Sequence, residues 1–134
     1  MSKKGTSLKP TRSWRRSAIS RNGEKPAVYS GLLFVSLRVL GSRSVKDRRR
    51  VTKSLLDRIR GRWNVSAMDL GPDGSWSEVF LGVAAVASGV QMTDERLNSV
   101  FSFLCAEEES GEFTIIDHWR EVNSYDDISH ATNK

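Results

Sequence analysis

S-V-K-D-R-R-R-V-T-K-S-L-L-D-R-I-R-G-R-W, residues 44–63, is the stretch whose periodicity decides how the rest of the chain is read. Ser44 can cap the free amides of a first helical turn, and Asp47, three places on, sets a carboxylate at the positive end of the helix dipole. At about 100° per residue, Val45, Thr52, Leu55, Leu56, Ile59 and Trp63 fall on one face. Lys46, Arg49, Arg50, Lys53 and Arg60 fall together on a flank interrupted by Asp57, with Arg43 just ahead of the first turn. The spacing predicts a helix ending around Gly61, with an apolar stripe for a core and a cationic stripe for something outside it.

Upstream, order is expected to begin near Val28. Over Leu32–Leu40 the alternation places Leu33, Val35, Leu37 and Val39 on one side and Phe34, Ser36 and Arg38 on the other, as in a half-buried strand. Gly41-Ser42-Arg43 then turns the chain into the helix. Downstream, Asn64–Leu70 reads as a short strand, Gly71-Pro72-Asp73-Gly74 as a turn, and Val79–Ser88 as a buried strand, which together make a hairpin. Gly89 leads to a second helix with Thr93 as its expected N-cap and Leu97, Val100, Phe101 and Leu104 as its core face. Glu107-Glu108-Glu109 would oppose the dipole at a helix C-terminus, so this helix is expected to end there. Phe113–Val122 supplies a last strand.

The order is therefore β-α-β-β-α-β. With two right-handed crossovers it predicts an α+β, ferredoxin-like fold, a four-stranded antiparallel sheet with both helices on one face. Residues 28–122 form the expected domain, between a disordered basic tail over residues 1–27 and a polar tail over residues 123–134.

The chain of 134 residues has a formal charge of +5, which conceals two opposed halves. Residues 1–27 carry a net of +7, residues 43–62 again +7, and residues 63–134 a net of −10. Such polarity favours a polyanionic partner for the basic side, although the same cations can balance the acidic half. The tail reads equally as a nucleic-acid-binding arm, an organelle transit peptide or a segment without a specific role. Within it, Trp14 between Arg12, Arg15 and Arg16 can stack on a base.

No apolar run approaches the length of a membrane span, and the single cysteine, Cys105, precludes an intramolecular disulfide. A reducing, cytoplasmic setting is expected, with Cys105 as a small residue at the edge of a helical core face. Asn64-Val65-Ser66 matches a glycosylation acceptor but sits in a predicted strand.

Several chemistries have no footing. There is no C-x-x-C for a metal or cluster, no glycine-rich phosphate loop and no G-x-S-x-G elbow. His118 beside Asp117, and His130 after Asp126 and Asp127, do not form a ligand pattern. We expect no catalytic residues, no metal and no cofactor. An enzyme built on Asp117 and His118 is the least favoured reading.

The candidate site is the basic flank, Arg43, Lys46, Arg49, Arg50, Lys53 and Arg60, because a phosphate backbone calls for several cations on one surface and arginine grips phosphate oxygens in pairs. The second candidate surface is the open sheet face, with Phe34, Ser36 and Arg38 from the first strand joined by Thr114, His118 and Arg120 from the last. It lacks the [KR]-G-[FY]-[GA]-F signature of RNA-recognition motifs, and dimerisation is its competing use. Trp63 is expected in the core and Trp76, after the hairpin tip, at the surface.

Ser44-Val45-Lys46-Asp47-Arg48-Arg49-Arg50-Val51, then Lys53-Ser54-Leu55, then Arg62-Trp63-Asn64-Val65-Ser66 resemble the small bacterial YlxP-like family, with its S-L-K-[DE]-K-R-R and later [FW]-N-V-S. Trp76 and Leu81-Gly82-Val83-Ala84 are similar to that family's tryptophan and its L-G-V-A strand. The resemblance covers about residues 30–122. It implies a ferredoxin-like domain of unknown function whose gene commonly neighbours those for translation initiation and ribosome maturation. By that association it implies a non-enzymatic partner of structured RNA or the small ribosomal subunit; a homo-oligomer joined through the open sheet face is the alternative. The chain departs from the family in its two tails, and in Val45 and Arg48 where leucine and lysine are usual.

Overall fold

The computed structural model describes residues 27–125. The basic tail expected over residues 1–27 lies outside them except for Ala27, as do residues 126–134 of the expected polar tail. β1 (Val28–Val39) is the strand to which the rest is fitted. Its alternation is strict: Leu33, Val35, Leu37 and Val39 are at most 4% exposed, whereas Leu32, Phe34 and Arg38 face out. The other elements are α1 (Val45–Arg62), β2 (Ser66–Asp69), β3 (Glu78–Ala87), α2 (Val90–Glu107), a 3₁₀ turn (Glu108–Ser110) and β4 (Phe113–Tyr125). The strands form one antiparallel sheet in the order β2-β3-β1-β4, the ferredoxin-like α+β arrangement.

One core fills the space between the sheet and the two helices. The inward residues of β1 and β3 meet Val51, Leu55, Leu56 and Ile59 of α1 and Leu97, Val100 and Leu104 of α2, with Phe113 of β4 closing one end. α2 approaches β1 so closely at Gly31 that a Cβ there would lie 2.6 Å from Leu97 Cδ1 and 2.8 Å from the Thr93 methyl. That contact explains a departure from expectation. Thr93 does not cap α2. The helix begins one turn earlier behind an extended Gly89, and Thr93 is fully buried, its hydroxyl donating to the Gly89 carbonyl at 2.9 Å. Threonine hydroxyls back-bond to the i−4 carbonyl in this way inside helices.

Cys105 also departs from its expected place. It follows Leu104 and so stands about 100° round the helix from the core stripe, and it is exposed. β4 continues past Val122 to Tyr125, and it carries a bulge. Leu37 pairs with Ile115 but Ser36 pairs with Asp117, which leaves Ile116 as the extra residue. Beyond that point the phase of the strand is reversed. His118 and Arg120 pair with Val35 and Leu33 and therefore lie on the helix side, not on the open face where they were expected. Thr114 pairs with Arg38 and does lie on the open side.

The N-terminus of α1 forms as expected. Ser44 is extended and its hydroxyl accepts from the Asp47 amide at 3.1 Å, while the Asp47 carboxylate accepts from the Arg43 amide at 3.1 Å. One turn on, Arg48 points inward and is 3% exposed. Its guanidinium makes two parallel bonds to the Asp69 carboxylate, at 2.9 and 3.0 Å, and its Nε donates to the Glu78 carbonyl at 2.5 Å. This fork ties α1 to the β2–β3 hairpin. Desolvation pushes the Asp69 pKa up, but the bonds from Arg48 and the Gly71 amide, with the charges of Arg48 and Arg49, outweigh it and hold the carboxyl below its usual 3.8.

A carboxylate depressed in the fold stabilises the protein above its unfolded pKa, and that contribution is lost as pH falls through the folded value. Arg48→Met is expected to cost about 2–3 kcal/mol in urea unfolding at neutral pH, less than for a fully buried pair because Asp69 remains partly wet. The gap between wild type and variant should narrow as pH falls below the 3.8 of a free aspartate. A gap that stays constant through that range would contradict the assignment. At the other helix, Gly31→Val should lower stability by about 1–3 kcal/mol through overpacking against Leu97 and Thr93, read by the same unfolding curves.

Candidate nucleic-acid interface

α1 is held by six inward residues, Arg48, Val51, Thr52, Leu55, Leu56 and Ile59, and this fixes which cations face water. Arg43, Lys46, Arg49, Arg50, Lys53 and Arg60 are all exposed. They do not form one equivalent set. Lys53 Nζ donates to Asp57 at 2.7 Å, an exposed i,i+4 pair, and this bond is the main cause that holds the Asp57 carboxyl below its usual 3.8. Arg60 wraps onto β2, with Nε and Nη2 both donating to the Ala67 carbonyl at 3.1 and 2.6 Å, and stands 3.9 Å from Asp57. Its guanidinium is committed to the backbone.

Arg43, Lys46, Arg49 and Arg50 are different. Among the described residues, no carboxylate lies within 4.0 Å of any of their side-chain nitrogens. They cluster at the N-terminal end of α1, where the helix dipole adds positive potential. The basic flank thus divides into a free N-terminal group of four and a C-terminal pair already partnered.

Arg48 was not singled out in the sequence because it sits in a run of three arginines. The signal was nevertheless present. Residues 48, 52, 55 and 59 are spaced i, i+4, i+7 and i+11, so a side chain at 48 belongs to the buried stripe. Arg58 and Arg62, on the opposite flank, are also engaged. Arg58 pairs with Glu107 of α2 at 2.6 Å and stacks over Phe103, and Arg62 lies 4.7 Å over the Trp63 ring. Trp63 packs edge-on to Phe103 at 5.5 Å, a half-buried position that suits the core role expected of it. Trp76 is 58% exposed.

The remaining polar candidates do not converge. Asp117 faces the open side of the sheet and His118 the helix side, where its ring lies 4.2 Å from that of Phe101. A hydrogen bond joins them, but from the His118 backbone amide rather than its ring. Arg120 bonds across to Asp94 of α2 at 3.3 Å. The Glu107–Glu109 run is partly used: besides the Arg58 pair, Glu108 accepts from the Thr114 hydroxyl and the Ile115 amide at 3.0 and 2.7 Å. Loss of hydration and then the Glu108 charge push the Cys105 thiol above its usual 9.0, so it stays protonated at neutral pH. Among the described residues, no three His, Cys, Asp or Glu side chains gather as metal ligands, and no helix is long and apolar enough to cross a membrane. A polar cleft of 220 Å³ lies beside the start of α1, lined by Gly41, Ser42, Asp47, Arg50, Gly111 and Glu112. Its two carboxylates make it a poor anion pocket.

Comparison with known proteins gives a consistent picture. Over 61 residues the chain is 34% identical to the uncharacterized protein YlxP of Bacillus subtilis (strain 168), a match that spans 46% of this chain and 66%, just under two thirds, of that relative. A solved structure, the de novo designed protein Foldit4, is similar over 72% of this chain and 96% of its own, at 13% identity and a TM-score of 0.38, a likeness too low to bear weight. The profile of a family described as "Protein of unknown function (DUF503)" matches residues 31–118, from the middle of β1 into β4. The chain belongs to the DUF503 family.

Proposed function

We propose that this protein binds structured RNA, on its own or within the small ribosomal subunit, through the N-terminal part of the basic flank of α1. It acts as a cytoplasmic, non-enzymatic factor. The observation that carries the reading is the free group, Arg43, Lys46, Arg49 and Arg50, exposed and without ion-pair partners among the described residues. Cations that fold stability required would be spent on neighbouring carboxylates, as Arg48 and Lys53 are. Three cations in the first two turns of a rigid helix, with Arg43 just ahead of them, suit successive phosphates, and each phosphate neutralised releases counterions. Arginine forks match phosphate oxygens two at a time. Lys53 and Arg60 frame the site without supplying its first contacts.

The full chain should sediment with ribosomal subunits or a structured RNA at low salt and lose the association at high salt. A log–log slope near −3 is expected for about four contacts. Arg49→Glu with Arg50→Glu should weaken binding at least about tenfold and flatten the slope by roughly 1–2, while the chain stays folded, with only a small loss in the unfolding transition from the Arg49 charge that acts on Asp69. Unchanged affinity and slope in that variant would refute the proposal. Arg60→Gln, by contrast, should leave the slope within about 0.5 of wild type.

A further inference from the structure

We propose that the open face of the sheet is a homodimer interface, in which two copies pack sheet against sheet with their helices outward. The face carries Leu32, Phe34, Met68, Leu70, Phe80 and Trp119, each 36–54% exposed, with Val86 and Tyr125 beyond them. At roughly 200 Å² for a large apolar side chain, half-exposure of such a set leaves on the order of 800 Å² of apolar surface. A monomer rarely leaves that much contiguous apolar area in water, and it equals the roughly 800 Å² that one partner contributes to a standard interface.

The shape of the face argues for a second copy as the occupant. Phe34 and Trp119 stack at 5.3 Å and make a ridge on the β1–β4 side. On the β3–β2 side Gly82 has no side chain, and Leu70 lies over it so closely that a Cβ would stand 2.8 Å from Leu70 Cδ1. The result is a shallow apolar depression of 160 Å³ lined by Leu32, Phe34, Met68, Leu70 and Gly82. Trp119, Phe34, Gly82 and Met68 stand in one row across the sheet, because Phe34 pairs with both Trp119 and Gly82, and Gly82 with Met68. A two-fold axis parallel to the strands exchanges the two ends of that row. It seats the Phe34–Trp119 ridge of each copy over the depression of the other, with Phe34 opposite Gly82 and Trp119 opposite Met68, an isologous fit of knob and hole. Sheets packed this way lie about 10 Å apart, close enough for such interdigitation.

Charge argues against other occupants. Glu78, Asp117 and Glu121 share the face with Arg38, each on the open side by its pairing with β1, so the face repels phosphates. Residues 1–27 offer eight lysines and arginines but only Met1, Leu8, Trp14 and Ile19 as large apolar side chains, too few to fill it.

The test is the mass of the nuclease-treated full chain by light scattering and sedimentation. Twice 15.0 kDa is expected from micromolar concentration upward. Trp119→Lys and, independently, Met68→Lys should each yield folded monomers, with an unchanged far-ultraviolet circular dichroism spectrum as the check of folding. A wild type that keeps the single-chain mass at the highest soluble concentration would overturn the proposal. So would folded variants that remain fully dimeric, since the interface would then lie elsewhere. The measurement contains no RNA and leaves Arg49 and Arg50 untouched, so its failure and that of the RNA reading are separable.

Discussion

A guanidinium inside the domain is the constraint on which the orientation of α1 depends. Arg48 is desolvated, and such a group is tolerated only where its donors are matched. The Asp69 carboxylate takes two of them and the Glu78 carbonyl a third. Those partners belong to the two strands of one hairpin, so the fork cannot form unless helix and hairpin meet at one rotation and one height. A purely apolar stripe could slide or roll by a fraction of a turn with little loss. The buried fork cannot, and the exposed arginines at 49 and 50 inherit its precision because they stand about 100° and 200° further round the same rigid cylinder.

This arrangement sorts a basic helix into three populations by geometry alone. One arginine is structural and buried, several residues are paired at the surface, and four stand free at the N-terminal end. On the far side of the sheet the chemistry is inverted, apolar with a surplus of carboxylates. The acidic residues of the later half are divided, some on α2 in the same layer as α1, where Glu107 pairs with Arg58, and Glu78, Asp117 and Glu121 on the open face. The proposed phosphate-binding surface and the proposed dimer face, on opposite sides of the sheet, therefore do not compete.

The order of elements, the α1 cap and the inward faces of β1 and α1 were legible in the sequence because each follows from a local periodicity. Leu33, Val35, Leu37 and Val39 alternate without interruption, and Ser44 with Asp47 is a self-contained capping pattern. What was not legible depends on long-range fit. Thr93 looks like a cap followed by acidic residues, yet its methyl is needed under Gly31, and that contact bridges two elements far apart in sequence. The candidate flank was visible as a set of charges, whereas the commitment of Arg60 to the Ala67 carbonyl and of Arg48 to Asp69 depends on where β2 runs. The composition of the open face was misread for one reason, the bulge, which no residue type in β4 announces.

That bulge divides β4 into two reading frames. Up to Ile115 the odd-numbered residues face the helices; from His118 onward the even-numbered ones do. The looping out of a single residue, Ile116, from the ladder is therefore what delivers Trp119 to the open side and leaves Arg120 able to reach Asp94 on α2. Without it, the same side chains in the same order would bury an indole beneath α2 and set a histidine and an arginine on the outer face. A relative that lacked this one residue would keep the same faces on a regular strand, whereas one that paired it in the ladder would set a histidine and an arginine where the indole stands. The chemical character of an entire surface rests on whether one residue is paired or looped out.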